Sequence, residues 1–226
     1  MAAAGKSTMI SPIVSKLYCA PSDVVLMIRR RPKVVNGGGL VASDCSADDD
    51  GGPAFRVDCG GGVGRKEEMV LRDGDGNALL LIRRNGSMVE AVSMRRQWRG
   101  MSMGMKSNIN YKKKNNELVQ KLVFTLKQPR HSCLCFGMRS KRISIDCHGR
   151  SFQVLGDFPG RCCTIVDSRG DVLAQIGMRK EMKTKQQVVQ GGRDVYGVEI
   201  KAGMDQAFVC GIIAVLDCIY DGSSRS

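Results

Sequence analysis

Between Met204 and Tyr220 the chain reads Met-Asp-Gln-Ala-Phe-Val-Cys-Gly-Ile-Ile-Ala-Val-Leu-Asp-Cys-Ile-Tyr, its longest apolar run. Phe208 through Leu216 has no polar side chain, so a helix here is apolar on every side. A surface helix shows one apolar stripe, whereas a helix apolar all round must be surrounded by lipid or by protein. A membrane span needs about 20 apolar residues, and this run is closed off by Asp205 and Asp217. The run therefore reads as a buried central helix, started by Asp205, with Phe208, Val209, Ile212, Ile213, Val215 and Leu216 as its core-facing residues. No transmembrane span is expected.

Such a helix needs walls, and the rest of the chain supplies short strand-like segments punctuated by turns. Val24 to Ile28 is an apolar run ending in Arg29-Arg30-Arg31-Pro32-Lys33. Phe55-Arg56-Val57 and Ile143-Ser144-Ile145-Asp146 alternate apolar with polar residues, the period of a half-buried strand. Leu118 to Leu126, Cys133 to Met138, Phe152 to Leu155 and Val195 to Ile200 are further strand candidates. Met69 to Asp73 and Ala78 to Arg84 flank a turn, Gly74-Asp75-Gly76-Asn77, whose residue types tolerate the positive φ of a tight reversal. Thr164 to Asp167 and Val172 to Ile176 repeat that hairpin, with Asp73 matching Asp167, Gly76 matching Gly170 and Ile82 matching Ile176. This is the pattern of either an internal duplication or two hairpins sharing one turn chemistry. Many short strands imply a sandwich or barrel, and a large closed barrel has a lumen that a helix can fill. Residues 1–22, broken by Pro12 and Pro21, read as a mobile leader, 23–221 as the domain, and 222–226 as a fraying tail.

Several segments together resemble a known family. Phe152-Gln153-Val154-Leu155-Gly156-Asp157-Phe158, Arg161-Cys162-Cys163-Thr164-Ile165-Val166-Asp167, Asp194-Val195-Tyr196, Gly203 to Phe208 and Val215-Leu216-Asp217 resemble the plant LURP-one-related family, and Asn77 to Arg84 and Trp98 fit the same pattern. The resemblance runs from about Asp23 to Tyr220. It implies a mainly β, tubby-like closed antiparallel β-barrel of about 12 strands enclosing a hydrophobic C-terminal central helix. It also implies kinship by fold with phosphoinositide-binding tubby proteins and with phospholipid scramblases, and an association with plant defence. The glycine-rich inserts at Gly37 to Gly39, Asp48 to Gly52 and Gly60 to Gly64 depart from the family's usual pattern. No tubby lipid-binding motif maps onto this chain residue by residue.

Chemistry for catalysis is thin. Gly100-Met101-Ser102-Met103-Gly104 matches the nucleophile-elbow pattern in letters, without the strand–turn–helix frame that the elbow needs. Gly5-Lys6-Ser7 and Gly60 to Gly64 lack the context of phosphate or dinucleotide loops. Cys133, Cys135, Cys147 and His148 could be assembled into a zinc site, but Cys-x-Cys is tighter than usual ligand spacing, so reduced structural thiols are the better reading. With only 2 histidines, acid–base catalysis is poorly supplied. No enzyme activity, metal or cofactor is expected.

A net charge of +13 points instead to an anionic partner. The candidate phospholipid-binding residues are Arg83, Arg84, Arg95, Arg96, Arg99, Lys112, Lys113 and Lys114, with Trp98 among them suited to a membrane interface. Arg29, Arg30, Arg31 and Lys33 form a short basic patch of the nuclear-import kind. Three readings stay open: a module binding acidic phospholipid headgroups, a nucleic-acid-binding or transcription-linked protein, and a scramblase-like lipid handler. The 10 cysteines without a secretory apolar segment lead us to expect reduced thiols and a cytoplasmic location, peripheral at the plasma membrane or extending to the nucleus.

Overall fold

In the computed structural model, which describes residues 12–32, 38–45, 52–60, 68–85, 97–105, 118–128, 142–177 and 194–221, strands form a closed ring around one helix. The strands are β1 (Val24–Arg31), β2 (Gly39–Asp44), β3 (Phe55–Cys59), β4 (Glu68–Asp73), β5 (Ala78–Arg84) and β6 (Gln97–Met105). The ring continues through β7 (Leu118–Lys127), β8 (Ile143–Cys147), β9 (Arg150–Asp157), β10 (Cys162–Asp167), β11 (Val172–Gly177) and β12 (Val195–Ile200). Each strand pairs antiparallel with the next, and β12 closes onto β1 with Leu26 opposite Val198. The helix, α1 (Gln206–Asp221), occupies the lumen.

Strand alternation builds the inner wall. Leu26 and Ile28, Leu40 and Ala42, Phe55 and Val57, Ile143 and Ile145, and Phe152 and Val154 are all buried at period two. They meet a helix on which Phe208, Val209, Ile212, Ile213, Val215 and Leu216 are fully buried. The Phe208 ring lies edge-on to Phe124 with centroids 5.8 Å apart and is tilted against Phe152 at 5.3 Å. Gly100 makes this packing fit, because a Cβ there would run into the Phe124 ring.

The two matching hairpins close with the same bonds. In the β4–β5 turn the Gly76 amide donates to the Asp73 carbonyl and the Asn77 amide to the Asp73 carboxylate; Gly170, Asp171 and Asp167 do the same between β10 and β11. Gly76 and Gly170 hold φ of 86° and 91°, which glycine adopts at little cost. Each hairpin also carries a register shift just before its turn aspartate, at Leu71/Arg72 and at Ile165/Val166. The hairpins lie opposite each other, six strands apart in the ring.

The two aspartates that bracket the apolar run tie the helix to the barrel. Asp205, 1% exposed, caps α1 by accepting from the Phe208 amide at 3.2 Å. Its other oxygen accepts from the amides of Ile13, Val14 and Ser15 at 3.1, 2.7 and 3.0 Å. Residues 12–22 therefore form a strap across this end of the barrel. Ile13 enters the core, Tyr18 packs edge-on against Phe55, and the Gly203 amide donates to the Ala20 carbonyl. The expectation of a mobile leader through residue 22 is corrected from Pro12 onward, because a buried carboxylate gathers the strap's amides. Residues 1–11 and 222–226 lie outside the described residues.

At the far end, both Asp217 oxygens accept from Arg30 Nε at 2.7 Å, and Arg161 Nη2 lies 3.5 Å away. The buried Arg161 guanidinium sits 3.9 Å from the Tyr196 ring centroid and 4.6 Å from that of Phe158. Two cations thus meet the negative end of the helix dipole. No helix among the described residues is long and apolar enough to cross a membrane.

Candidate anion-binding surface

Register decides which arginines meet. Along one row of the ring, Arg29 pairs with Val41, Val41 with Arg56, and Arg56 with Arg72. In the next row Arg31 pairs with Gly39, Gly39 with Asp58, Asp58 with Val70, and Val70 with Leu81. In the third, Glu68 pairs with Arg83 and Arg83 with Arg99. All these positions alternate with buried inner-wall residues, so they share the outer face of β1 to β6.

Among the described residues this outer wall holds six arginines, Arg29, Arg31, Arg56, Arg72, Arg83 and Arg99, against two carboxylates, Asp58 and Glu68. Asp58 is shared by three guanidinium groups: Arg31 Nη2 at 2.6 Å, and Arg56 Nε and Arg72 Nε at 3.2 Å. Glu68 meets Arg83 Nε at 2.9 Å. Arg56 directly opposite Arg72, and Arg83 directly opposite Arg99, are like-charge cross-strand pairs whose repulsion is offset by Asp58 in the first and by Glu68 beside Arg83 in the second. Among the described residues, strands β8 to β12 carry Asp146, Asp157 and Glu199 in outward register, with Lys127 bonding Asp146 and Lys201 bonding Glu199.

Several expected site residues fall elsewhere. Trp98 is 3% exposed and belongs to the core, in phase with Gly100 on the inner side of β6, so its expected place at a membrane interface is corrected. Arg84 pairs with Trp98 and shares its inward phase at the barrel rim, half-buried, rather than joining Arg83 outside. The Arg29 to Lys33 patch is also corrected as a free peptide-like signal. Arg30 turns inward to Asp217 and Arg31 bonds Asp58 and the Val57 carbonyl, which leaves Arg29 exposed. Arg95, Arg96, Lys112, Lys113, Lys114 and Lys33, like Cys133 and Cys135, lie outside the described residues. The Gly100-to-Gly104 motif lies within strand β6, where Ser102 Oγ donates to the Lys121 carbonyl at 3.4 Å.

Arg56 and Arg72 were missed from the sequence because each stands alone in its strand. Only the pairing of β3 with β4 makes them neighbours. Their signal in the sequence was an arginine at an outward position of an alternating segment.

Comparison with known proteins follows the fold closely. The profile of the LURP-one-related family matches residues 24–217. Protein LURP-one-related 6 of Arabidopsis thaliana is 43% identical over 212 residues, covering 94% of this chain and 97% of its own length. Protein LURP-one-related 16 of the same plant is 37% identical over 232 residues, covering 98% of each chain. A crystal structure of another Arabidopsis thaliana protein superposes with a TM-score of 0.57 at 18% identity, covering 92% of this chain and 97% of its own, a likeness in fold.

Proposed function

This chain belongs to the LURP-one-related family, and from that premise we propose that it is a non-enzymatic, tubby-like module that docks on acidic phospholipids through the outer face of β1 to β6. The observation that carries the proposal is the set of cross-strand arginine rows, with six guanidinium groups against two carboxylates. Each cation held near an anionic bilayer contributes about 1 kcal/mol. A net +4 among the described residues of this face, six minus two, gives a few kcal/mol, the range of reversible and salt-sensitive docking. Phosphoinositides, with several phosphates on one headgroup, would fit between paired guanidinium groups better than singly charged lipids do. A setting in plant defence signalling belongs to the same proposal.

Single-stranded nucleic acid is less well served, because its binding relies on exposed aromatic platforms. The large exposed apolar side chains among the described residues are Leu17, Leu122 and Val172, none aromatic. A scramblase-like role would require α1 to leave a lumen in which it is enclosed.

The test is vesicle co-sedimentation at low and high salt, with neutral against phosphoinositide-containing vesicles, for the native chain and for Arg83→Glu with Arg99→Glu. Native binding should rise with phosphoinositide content, fall with salt and be lost in the double variant. Equal binding to both vesicle types at low salt, or salt-dependent retention of RNA or DNA in place of lipid, refutes the reading.

A further inference from the structure

The bulge opposite Gly100 and Met101 shifts the phase of β7, with Leu122 turned to solvent and Lys121 turned toward the mouth of the barrel. Arg150 begins β9 in phase with the inward Phe152 and Val154, and its guanidinium lies 5.9 Å from the Phe152 ring centroid. Two cations thus occupy inner-wall positions that are apolar deeper in the barrel. Between them the two-residue turn from β8 to β9 holds His148 at φ 45°, a conformation that glycine or asparagine would adopt with less strain. Lys121, His148 and Arg150 line one cleft of about 440 Å³, and Pro12 and Ile13 of the strap form its remaining described wall. That wall is fixed by the bond from the Ile13 amide to Asp205. Among the described residues, the lining contains no carboxylate.

We propose that this cleft at the barrel mouth is a second, separate anion site that takes a phosphate monoester. The volume falls in the range of small-ligand pockets. An ammonium, a guanidinium and an imidazole lining one cleft supply several nitrogen donors, enough for the three terminal oxygens of a phosphate monoester dianion. None of these residues belongs to the outer arginine rows, so the site stands or falls independently of docking through that wall.

A phosphate monoester can be a free metabolite or a lipid headgroup, and the test separates the two. Titration calorimetry uses glycerol 3-phosphate and inorganic phosphate as soluble probes. Flotation uses vesicles containing phosphatidic acid, a monoester lipid, against vesicles containing phosphatidylglycerol, a diester. The variants are Lys121→Glu at the exposed rim, His148→Asn, which keeps a residue tolerant of positive φ, and Arg83→Glu with Arg99→Glu as the outer-wall control. Binding of glycerol 3-phosphate, or a preference for phosphatidic acid, should fall about tenfold or more in Lys121→Glu and less in His148→Asn, with the outer-wall control unchanged for the soluble probe. Binding of the soluble probe marks a free ligand, and a phosphatidic acid preference alone marks a headgroup. Absence of both in the native chain, or affinity unaltered by Lys121→Glu in a variant that melts normally, overturns the proposal.

Discussion

Replacing Asp205 with alanine should detach the strap and weaken the whole barrel. One carboxylate, 1% exposed, accepts four amide hydrogen bonds, from Ile13, Val14, Ser15 and Phe208. Loss of the helix cap costs about 1 kcal/mol. The Ile13 amide, whose bond is buried, would lose its partner at about 1–3 kcal/mol. The Val14 and Ser15 amides are part-buried, and water offsets some of their loss. The sum is about 3–5 kcal/mol, with strap release setting the upper limit, since a freed strap recovers its hydrogen bonds from solvent. In a chain of this size that lowers the melting temperature by roughly 10 °C. Asp205→Asn should fall between, because its carbonyl can face the strap or Phe208 but its amide group donates toward whichever side remains. Melting followed by circular dichroism gives the first readout, and tryptic cleavage after Lys16 gives the second. An Asp205→Ala protein that melts within about 0.5 kcal/mol of the native chain and resists cleavage at Lys16 would show that the carboxylate does not organise this end.

Three further outcomes follow from the same packing. Ile212→Asp places a charge in the lumen, where Ile212 has no exposed surface, and should abolish cooperative melting; a soluble variant with native melting would place the helix elsewhere. Gly100→Ala should destabilise by about 1–3 kcal/mol because its Cβ enters the Phe124 ring, and Gly100→Ala with Phe124→Leu should recover part of that loss in a denaturant titration. Tyr18 is pushed up to about 12, chiefly by burial and then by its hydrogen bond to Asp73. Its folded value lies above the unfolded value near 10, so its contribution to stability is complete below pH ~10 and is lost as pH rises through ~12. Tyr18→Phe should therefore show a shallower alkaline decline than the native chain, and parallel declines would remove Tyr18 from that role.

Much of the architecture is legible in local sequence because it depends on local periods. An apolar run with no polar face allows only an enclosed helix, and alternation at Phe55 to Val57 or Ile143 to Cys147 allows only a half-buried strand. The Asp-Gly turns were legible for the same reason, since positive φ is a property of single residues. The candidate surface was partly legible. Arg83 and Arg99 stand among the candidates that the sequence offers, and β5–β6 pairing sets them face to face. Trp98 was misplaced because charge in its sequence neighbours, Arg96 and Arg99, says nothing about which face of a strand it takes.

That a wholly apolar helix bounded by Asp205 and Asp217 must be walled by strands follows from local pattern, because hydrophobic burial and strand periodicity are written in adjacent residues. What those two aspartates do emerges only once the barrel has closed. Asp205 gathers a strap from the other end of the chain, and Asp217 takes Arg30 out of a basic patch. Partners separated by 191 and 187 positions are chosen by barrel closure and register, which no local pattern encodes. The same closure aligns Arg29, Arg56 and Arg72 in one outer row and turns Lys121 and Arg150 into one mouth.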